Sequence, residues 1–403
     1  LVKLRVGHGE YSKKMGAVQS IAAPCENRRT FPQLGAKVKG RGPAVEGGLE
    51  ACADSGQFRP PVVLTSMAKR MRIVQVLALA WLAAFLCAHW PGEARAAEPK
   101  RAALALQWTP QAQFAGFYVA QAKGFYREAG VDLTIRPGGP DLVASRELME
   151  GRAQFATMFL ATGVERRAHG LPLAHLAQFV QHSALMLVMR ADSPLRELKD
   201  LDGKRVGLWD NEFQLQPLTL FKRLGIHPRI VPQSGTLNLF LLGGVEAASG
   251  MWYNEYHTLL SSGLDAADLR VHFYRDLDLN YPEDGLYTLE KTLRADPQLC
   301  KAVVSASLRG WEYAFAHEDE ALDIVLEHMR TAKVPTSRAH QRFMLRRMRD
   351  VMLGGEGIEG NAKTPPLGQL GRAAYDRVAD ALLEQGFVRT RPRFEDFSRG
   401  GAL

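Results

Sequence analysis

The stretch Gly250-Met251-Trp252-Tyr253-Asn254-Glu255-Tyr256-His257 sets three aromatic rings beside an amide and a carboxylate. A flat ring supplies contact area and an ionised carboxyl supplies only acceptors, a combination suited to a small planar ligand that carries N–H groups. The same Trp-Tyr pair would serve equally as core at the end of a strand, with a wet tyrosine hydroxyl. Leu241 to Ser249, just before it, reads as a buried strand or the approach to one. Little else in the chain suggests covalent or metal chemistry. Cys25, Cys52 and Cys87 all precede residue 97, Cys300 stands alone after it, and no Cys/His spacing resembles a zinc site. No metal and no cofactor are expected, and Cys300 reads as a buried structural thiol on a helix.

Charge divides as the cysteines do. The net +8 of the 403 residues comes from residues 1–96, which hold 14 Lys+Arg against 6 Asp+Glu, while 97–403 hold 37 of each. The main body therefore has no basic excess, and a nucleic-acid partner is not expected. Residues 1–66 lack a sustained period of 2 or 3.6 and read as an unstructured leader that is not native sequence. Residues 67–96 carry the parts of a secretory signal. Lys69, Arg70 and Arg72 are basic, Ile73 to Ala88 is apolar, and Ala94-Arg95-Ala96 is a small-x-small cleavage pattern, with Met67 or Met71 as the start. The apolar run is shorter than the roughly 20 residues of a spanning helix, which favours cleavage and export to the periplasm. Lipidation at Cys87 is disfavoured by Ala84-Phe85-Leu86 before it.

From Arg101 the pattern alternates. A strand to Trp108, a helix through Phe114 to Tyr126, a strand at Val131 to Ile135, a helix at Asp141 to Glu150, a strand at Gln154 to Leu160, a helix at Thr162 to His169 and a strand at Leu173 to Val180 predict an α/β unit with a largely parallel sheet. After a strand at Ala184 to Arg190 the theme restarts, with a Gly203 turn before a strand ending at Trp209, a helix around Leu215 to Leu224, a strand at Arg229 to Pro232 and a helix at Thr236 to Leu242. Val271 to Tyr274 and Gly285 to Thr288 read as extended segments returning to the first unit. Beyond Asp296 a 3.6 period predicts helices, and Arg342, Arg346, Arg347 and Arg349 read as a solvated face.

Three pieces in order carry a resemblance. Leu106-Gln107-Trp108-Thr109-Pro110-Gln111-Ala112-Gln113-Phe114-Ala115-Gly116-Phe117-Tyr118, then Leu201-Asp202-Gly203-Lys204-Arg205-Val206-Gly207, then Trp252-Tyr253-Asn254-Glu255-Tyr256 together resemble the substrate-binding proteins related to thiamine-pyrimidine precursor binding and synthesis. The likeness covers roughly residues 101–390. It implies a two-lobed α/β fold of the type II periplasmic-binding-protein class with two crossover strands and C-terminal helices. Lobe 1 is expected at 97–186 and 289–403 and lobe 2 at 187–288. Ligands in such folds sit beyond the carboxyl ends of strands, which nominates Trp108, Gln113, Phe114, Phe159, Asn211, Trp252, Tyr253, Asn254 and Glu255. Trp108 and Tyr253, or Trp252 instead, would stack on the ligand, Glu255 would accept its N–H groups, and Gln113 and Asn254 would read the remaining polar atoms.

The implied function is an exported solute-binding protein of an ABC importer. Acting as a monomer with an inner-membrane permease, it would close on a small heteroaromatic molecule without catalysis. Two departures narrow this. The loop Trp209-Asp210-Asn211-Glu212-Phe213-Gln214 has two acids and no glycine, which argues against a phosphorylated ligand. The cysteine-rich iron-binding run of the synthase branch is missing, which argues against a pyrimidine-precursor synthase. A ligand-sensing input domain of a two-component system is the other alternative.

Overall fold

The computed structural model describes residues 71–72, 75–81, 98–210, 212–355, 357–358 and 364–400. The chain forms two units, 1–90 and 91–403. In the first, the described residues 71–72 and 75–81 are helical and exposed; the expected leader and most of the signal-like segment lie outside the described residues. Among the described residues no helix is long and apolar enough to cross a membrane.

The second unit holds two five-stranded mixed sheets of the same design. In the first sheet, β1 (Lys100–Ala105) lies between β2 (Val131–Arg136) and β3 (Phe155–Phe159), parallel to both. The order is completed by β10 (Asp284–Leu289) and β4 (Leu173–Gln178), β10 running antiparallel to β3 and β4. The second sheet repeats this with β6 (Arg205–Leu208) between β7 (Arg229–Pro232) and β8 (Ala247–Met251), followed by β5 (Leu185–Arg190) and β9 (Leu269–Phe273). Here β5 is the antiparallel member. Each sheet thus receives its antiparallel strand directly from a crossing between sheets. This is why β10 is buried along its whole length and β5 along all but its last residue, since central strands are covered on both faces.

The crossings are residues 179–184 and 274–283, and they are zipped together. Phe179 and Val180 donate backbone N–H groups to the Asp284 carbonyl (3.0 and 3.2 Å), and Glu283 donates to the Val180 carbonyl at 3.1 Å. Val271 to Phe273, read from sequence as part of the return to the first unit, instead forms the edge of the second sheet; its alternation cannot say which sheet a strand joins. The expected divisions at 187 and 288 fall inside β5 and β10.

Helices α1 (Ala115–Ala122), α2 (Phe125–Glu128), α3 (Ala144–Met149) and α4 (Leu160–Ala168) serve the first sheet, and α5 (Leu215–Leu224), α6 (Asn238–Leu241) and α7 (Glu255–Ser261) the second. The strand expected over Leu241 to Ser249 begins only at Ala247, α6 taking the first of those residues. The C-terminal set is α8 (Glu290–Ala295), α9 (Pro297–Ala316), α10 (Glu318–Thr331), α11 (Arg338–Leu353), α12 (Arg372–Glu384) and α13 (Phe394–Phe397). Asp296 caps α9, accepting the Leu299 N–H, and Pro297 fills a first-turn position whose N–H has no helical partner. Packing of α9 on α1 requires glycine. A Cβ on Gly310 would lie 2.0 Å from the Gly116 carbonyl oxygen, and one on Gly116 would meet the Trp311 ring at 2.3 Å. Cys300 is buried in α9, and burial pushes its thiol up to about 11.

Candidate functional site

The ends of β1, β3, β6 and β8 approach the place where the crossings enter β10. Glu283 and Asp284 head that strand, both 4% exposed. Asp284 accepts the Gln107 amide at 2.8 Å on one oxygen and the Gln113 amide at 2.9 Å on the other, and Gln111 donates to Gln113 at 2.6 Å. The turn after β1 therefore clamps one carboxyl. A different clamp holds Glu283, whose Oε1 accepts from the Ser183 hydroxyl (2.9 Å) and from the backbone N–H groups of Ala184 (2.7 Å) and Leu185 (3.3 Å). Its Oε2 is buried with no partner. Ser183 is held in turn by Gln216 of α5, whose amide donates to its hydroxyl at 3.0 Å and to the Leu279 carbonyl at 2.7 Å.

Burial dominates the electrostatics. It pushes Asp284 up to about 7, and it pushes Glu283, with the neighbouring Asp284 charge adding to it, up to about 8. The Tyr253 hydroxyl is held well above its ordinary value by burial and then by the charges of Glu283, Asp284 and Glu255. A small cavity of about 20 Å³ adjoins this group, lined by Phe159 and Ala161 from the first lobe, Phe213 and Gln216 from the second, and Tyr281 and Glu283 from the crossing. Phe159 and Phe213 meet edge to face at 4.8 Å, and Trp209 packs on Phe213 at 5.2 Å. The lobes are thus closed on each other through aromatic rings, with an acidic wall behind them.

The nominated residues separate on inspection. Phe159 and Tyr253 belong to this place, and Trp108 lies past the end of β1 with 40% of its surface exposed. Gln113 spends its amide on Asp284 and Gln111. Phe114 is fully buried, because the turn after Gln111 continues into α1 and points the ring into the core. The Trp252 ring, 6% exposed, has the Arg275 and Arg347 guanidiniums over it at 4.7 and 4.6 Å and Phe273 against its edge. Both oxygens of Glu255 are taken up locally, by the Met251 N–H at 2.8 Å and the Asn254 amide at 2.7 Å. Asn254 accepts from His340 Nε2 at 2.8 Å. These bonds build the turn from β8 into α7. Asn211 lies outside the described residues.

Glu283 and Asp284 were absent from the nominated set. One signal could have found them: two acids directly after Pro282, the second opening an entirely buried strand. Nor do the arginines of α11 form only a solvated face, since Arg342 and Arg346 pair with Glu318 and Arg347 with Asp350. Among the described residues no group of three or more His, Cys, Asp or Glu could hold a metal ion.

Comparison with known proteins agrees with this architecture. Residues 111–321 match the family described as NMT1/THI5 like. The riboflavin-binding protein RibY of Chloroflexus aurantiacus is 25% identical over 239 residues, covering 57% of this chain and 67% of that protein. A formylaminopyrimidine-binding protein of Halalkalibacterium halodurans is 26% identical over 248 residues, covering 57% and 71%. Among solved structures, the periplasmic aliphatic sulphonate binding protein SsuA from Escherichia coli superposes with a TM-score of 0.57 at 15% identity, covering 74% of this chain and 91% of that one. DSZB in complex with biphenyl-2-sulfinic acid superposes with a TM-score of 0.51 at 14% identity, covering 74% and 96%. With two mixed sheets joined by paired crossings and a family match over more than half its length, the chain belongs to the NMT1/THI5 like family and has the two-lobed periplasmic-binding-protein fold.

Proposed function

We propose that this protein is the exported solute-binding component of an ABC importer and that it closes its two lobes on a small heteroaromatic ligand. The observation that carries this reading is the seam itself. Aromatic rings from the two lobes, Phe159 and Phe213, meet beside the buried carboxyl of Glu283, one oxygen of which has no partner. Rings that stack on a flat molecule and one or two fixed polar groups that orient it are the usual composition of such a pocket. Two relatives named for binding riboflavin and formylaminopyrimidine, both flat heterocycles, support the ligand class. The work is done by hinge motion at the crossings, the open lobes admitting ligand and the closed form presenting it to a membrane permease. Export through the segment at 67–96 and action as a monomer complete the reading.

The purified full chain should show a ligand-dependent rise in melting temperature with at least one member of a panel of substituted pyrimidines, riboflavin and alkanesulfonates. Saturating concentrations of every member without a shift would remove the solute-binding reading for these classes.

A further inference from the structure

Two neighbouring residues of α11 hold different lobes. Gln341, 1% exposed, accepts the Ala112 N–H at 2.7 Å in the turn after β1, and its helix packs on that turn and on α9 and α10. His340 reaches the other way, donating from Nε2 to Asn254 Oδ1 at 2.8 Å at the start of α7, the helix that follows β8 of the second sheet. We propose that His340 and His257 of α7 form a proton-operated latch between the lobes, shut while the rings are neutral and released when both are protonated. That the lobes part at all rests on the solute-binding reading above; the latch adds what regulates their parting.

The hydrogen bonds assign the protons. The Asn254 amide donates to Glu255 Oε1 at 2.7 Å, so the other end of that side chain is the oxygen, and His340 Nε2 must carry a proton to bond it. A neutral His340 then has a bare Nδ1, which faces His257 Nδ1 at 3.0 Å. The two atoms bond only if His257 keeps its proton there, where the Ser261 hydroxyl also lies, at 3.3 Å. One added proton goes to His257 Nε2, and the bond survives. A second has only His340 Nδ1 to go to, where it sets N–H against N–H and one positive ring against another. The rest of the junction is aromatic: Phe343 of α11 lies against His257 at 4.7 Å and stacks with Tyr256 at 6.3 Å.

Among the described residues neither ring has a carboxylate partner. The charged groups on the packed elements are Glu255 on α7, bonded to the Met251 N–H and the Asn254 amide, Arg338, Arg342 and Arg347 on α11, and Glu318, Asp319 and Asp323 on α10. Those three acids pair with Arg338 and Arg342, and Arg347 pairs with Asp350. Burial lowers both histidines, and the charge of His257 lowers His340 further. The latched form therefore holds fewer protons than the released form, so closure is complete above the ordinary histidine range and weakens as pH falls below it. The buried carboxyls act in the opposite sense. Burial raises Glu255, Glu283 and Asp284, so acid favours their closed, protonated state. Opening in acid is thus a signature of histidine. His182, in the first crossing, is lowered by burial and by Arg275, but it bonds Thr364 and lies off both helices, so variants separate it from the pair.

The test measures the distance between the lobes in the full chain, with Cys25, Cys52 and Cys87 replaced by serine and spin labels on Leu142→Cys and Leu242→Cys. Both positions are exposed and follow the ends of β2 and β7. Double electron–electron resonance at about pH 7.5 and about pH 5, with circular dichroism to show that the chain stays folded, gives the ratio of open to closed molecules. Acid should raise that ratio at least about fivefold with both histidines present. His257→Asn combined with His340→Gln, whose amides can still donate but do not titrate, should stay closed at both pH values. His340→Lys, charged throughout, should be open at both; if it does not fold, the double variant alone decides. A ratio that acid leaves unchanged, lobes open at both pH values, or an equal rise in the double variant overturns the latch, the last by placing the proton elsewhere. No ligand is added, so none of these results touches the solute-binding reading, which the melting panel tests by itself.

Discussion

Raising the pH should weaken the empty protein through the Glu283/Asp284 pair. In the folded chain burial holds the two carboxyls up to about 8 and about 7, far above the ordinary carboxyl range that applies once the chain unfolds. Over that window the folded state keeps a proton that the unfolded state has lost. The stability is therefore complete below the ordinary carboxyl range and is lost as pH rises through 7 to 8. Each pH unit of such retention is worth about 1.4 kcal/mol, so the step from about pH 6.5 to about pH 8.5 should remove roughly 2 kcal/mol. For a unit of roughly 300 residues, whose unfolding entropy scales with its length, that lowers the melting temperature by roughly 3 °C. Starting at pH 6.5 keeps buried histidines such as His175, which burial pulls down to about 4, neutral throughout. The assay is thermal unfolding by circular dichroism of the wild type, Glu283→Gln and the double variant with Asp284→Asn. The single variant should lose at least half of the fall and the double variant nearly all of it. A wild-type melting temperature that stays flat across the range, or an equal fall in the double variant, would refute the reasoning, because it would mean the carboxyls are hydrated in solution.

Trp252→Ala should destabilise by about 3–5 kcal/mol in denaturant titrations, and Trp252→Phe by clearly less, since the loss is that of a large ring buried beneath two guanidiniums; equal effects would show that the cation contacts contribute nothing. Gly310→Ala, whose Cβ would collide with the Gly116 carbonyl, should cost about 3 kcal/mol in the same experiment by forcing α9 off α1, and a neutral result would contradict the packing described. His257 and His340 join α7 to α11 by their Nδ1 atoms at 3.0 Å, and burial lowers both, His340 also feeling the charge of His257. Their contact should be whole above the ordinary histidine range and lost as pH falls below it. In imidazole NMR titrations His257→Ala should raise the midpoint of His340; an unmoved midpoint would show that the rings do not interact.

Much of the fold was legible because it rests on local periodicity. The helix at Leu215 to Leu224 and the strand at Arg229 to Pro232 appear at their expected bounds, and the restart of the α/β pattern after Arg190 marks the second sheet. The site was less legible. Phe114 sits among residues that bear the family likeness, yet side-chain direction at a turn depends on the first helical turn after it. Glu255 has the right chemistry for a ligand contact, but a carboxylate at the start of a helix is also the natural acceptor for nearby backbone N–H groups, and here the Met251 N–H takes one of its oxygens.

The amino-acid sequence by itself determined the alternation of strands and helices, the charge neutrality of the body and the family likeness, since each depends on neighbouring residues or on totals. Only the tertiary structure decided which carboxyl is left with an unsatisfied oxygen. Glu283 lies 100 residues from Ser183 and 99 from Ala184, the groups that saturate its Oε1, and its cavity is lined by residues from both lobes. Whether a polar atom is free to meet a ligand depends on every other group that reaches it in space, and those groups come from distant parts of the chain.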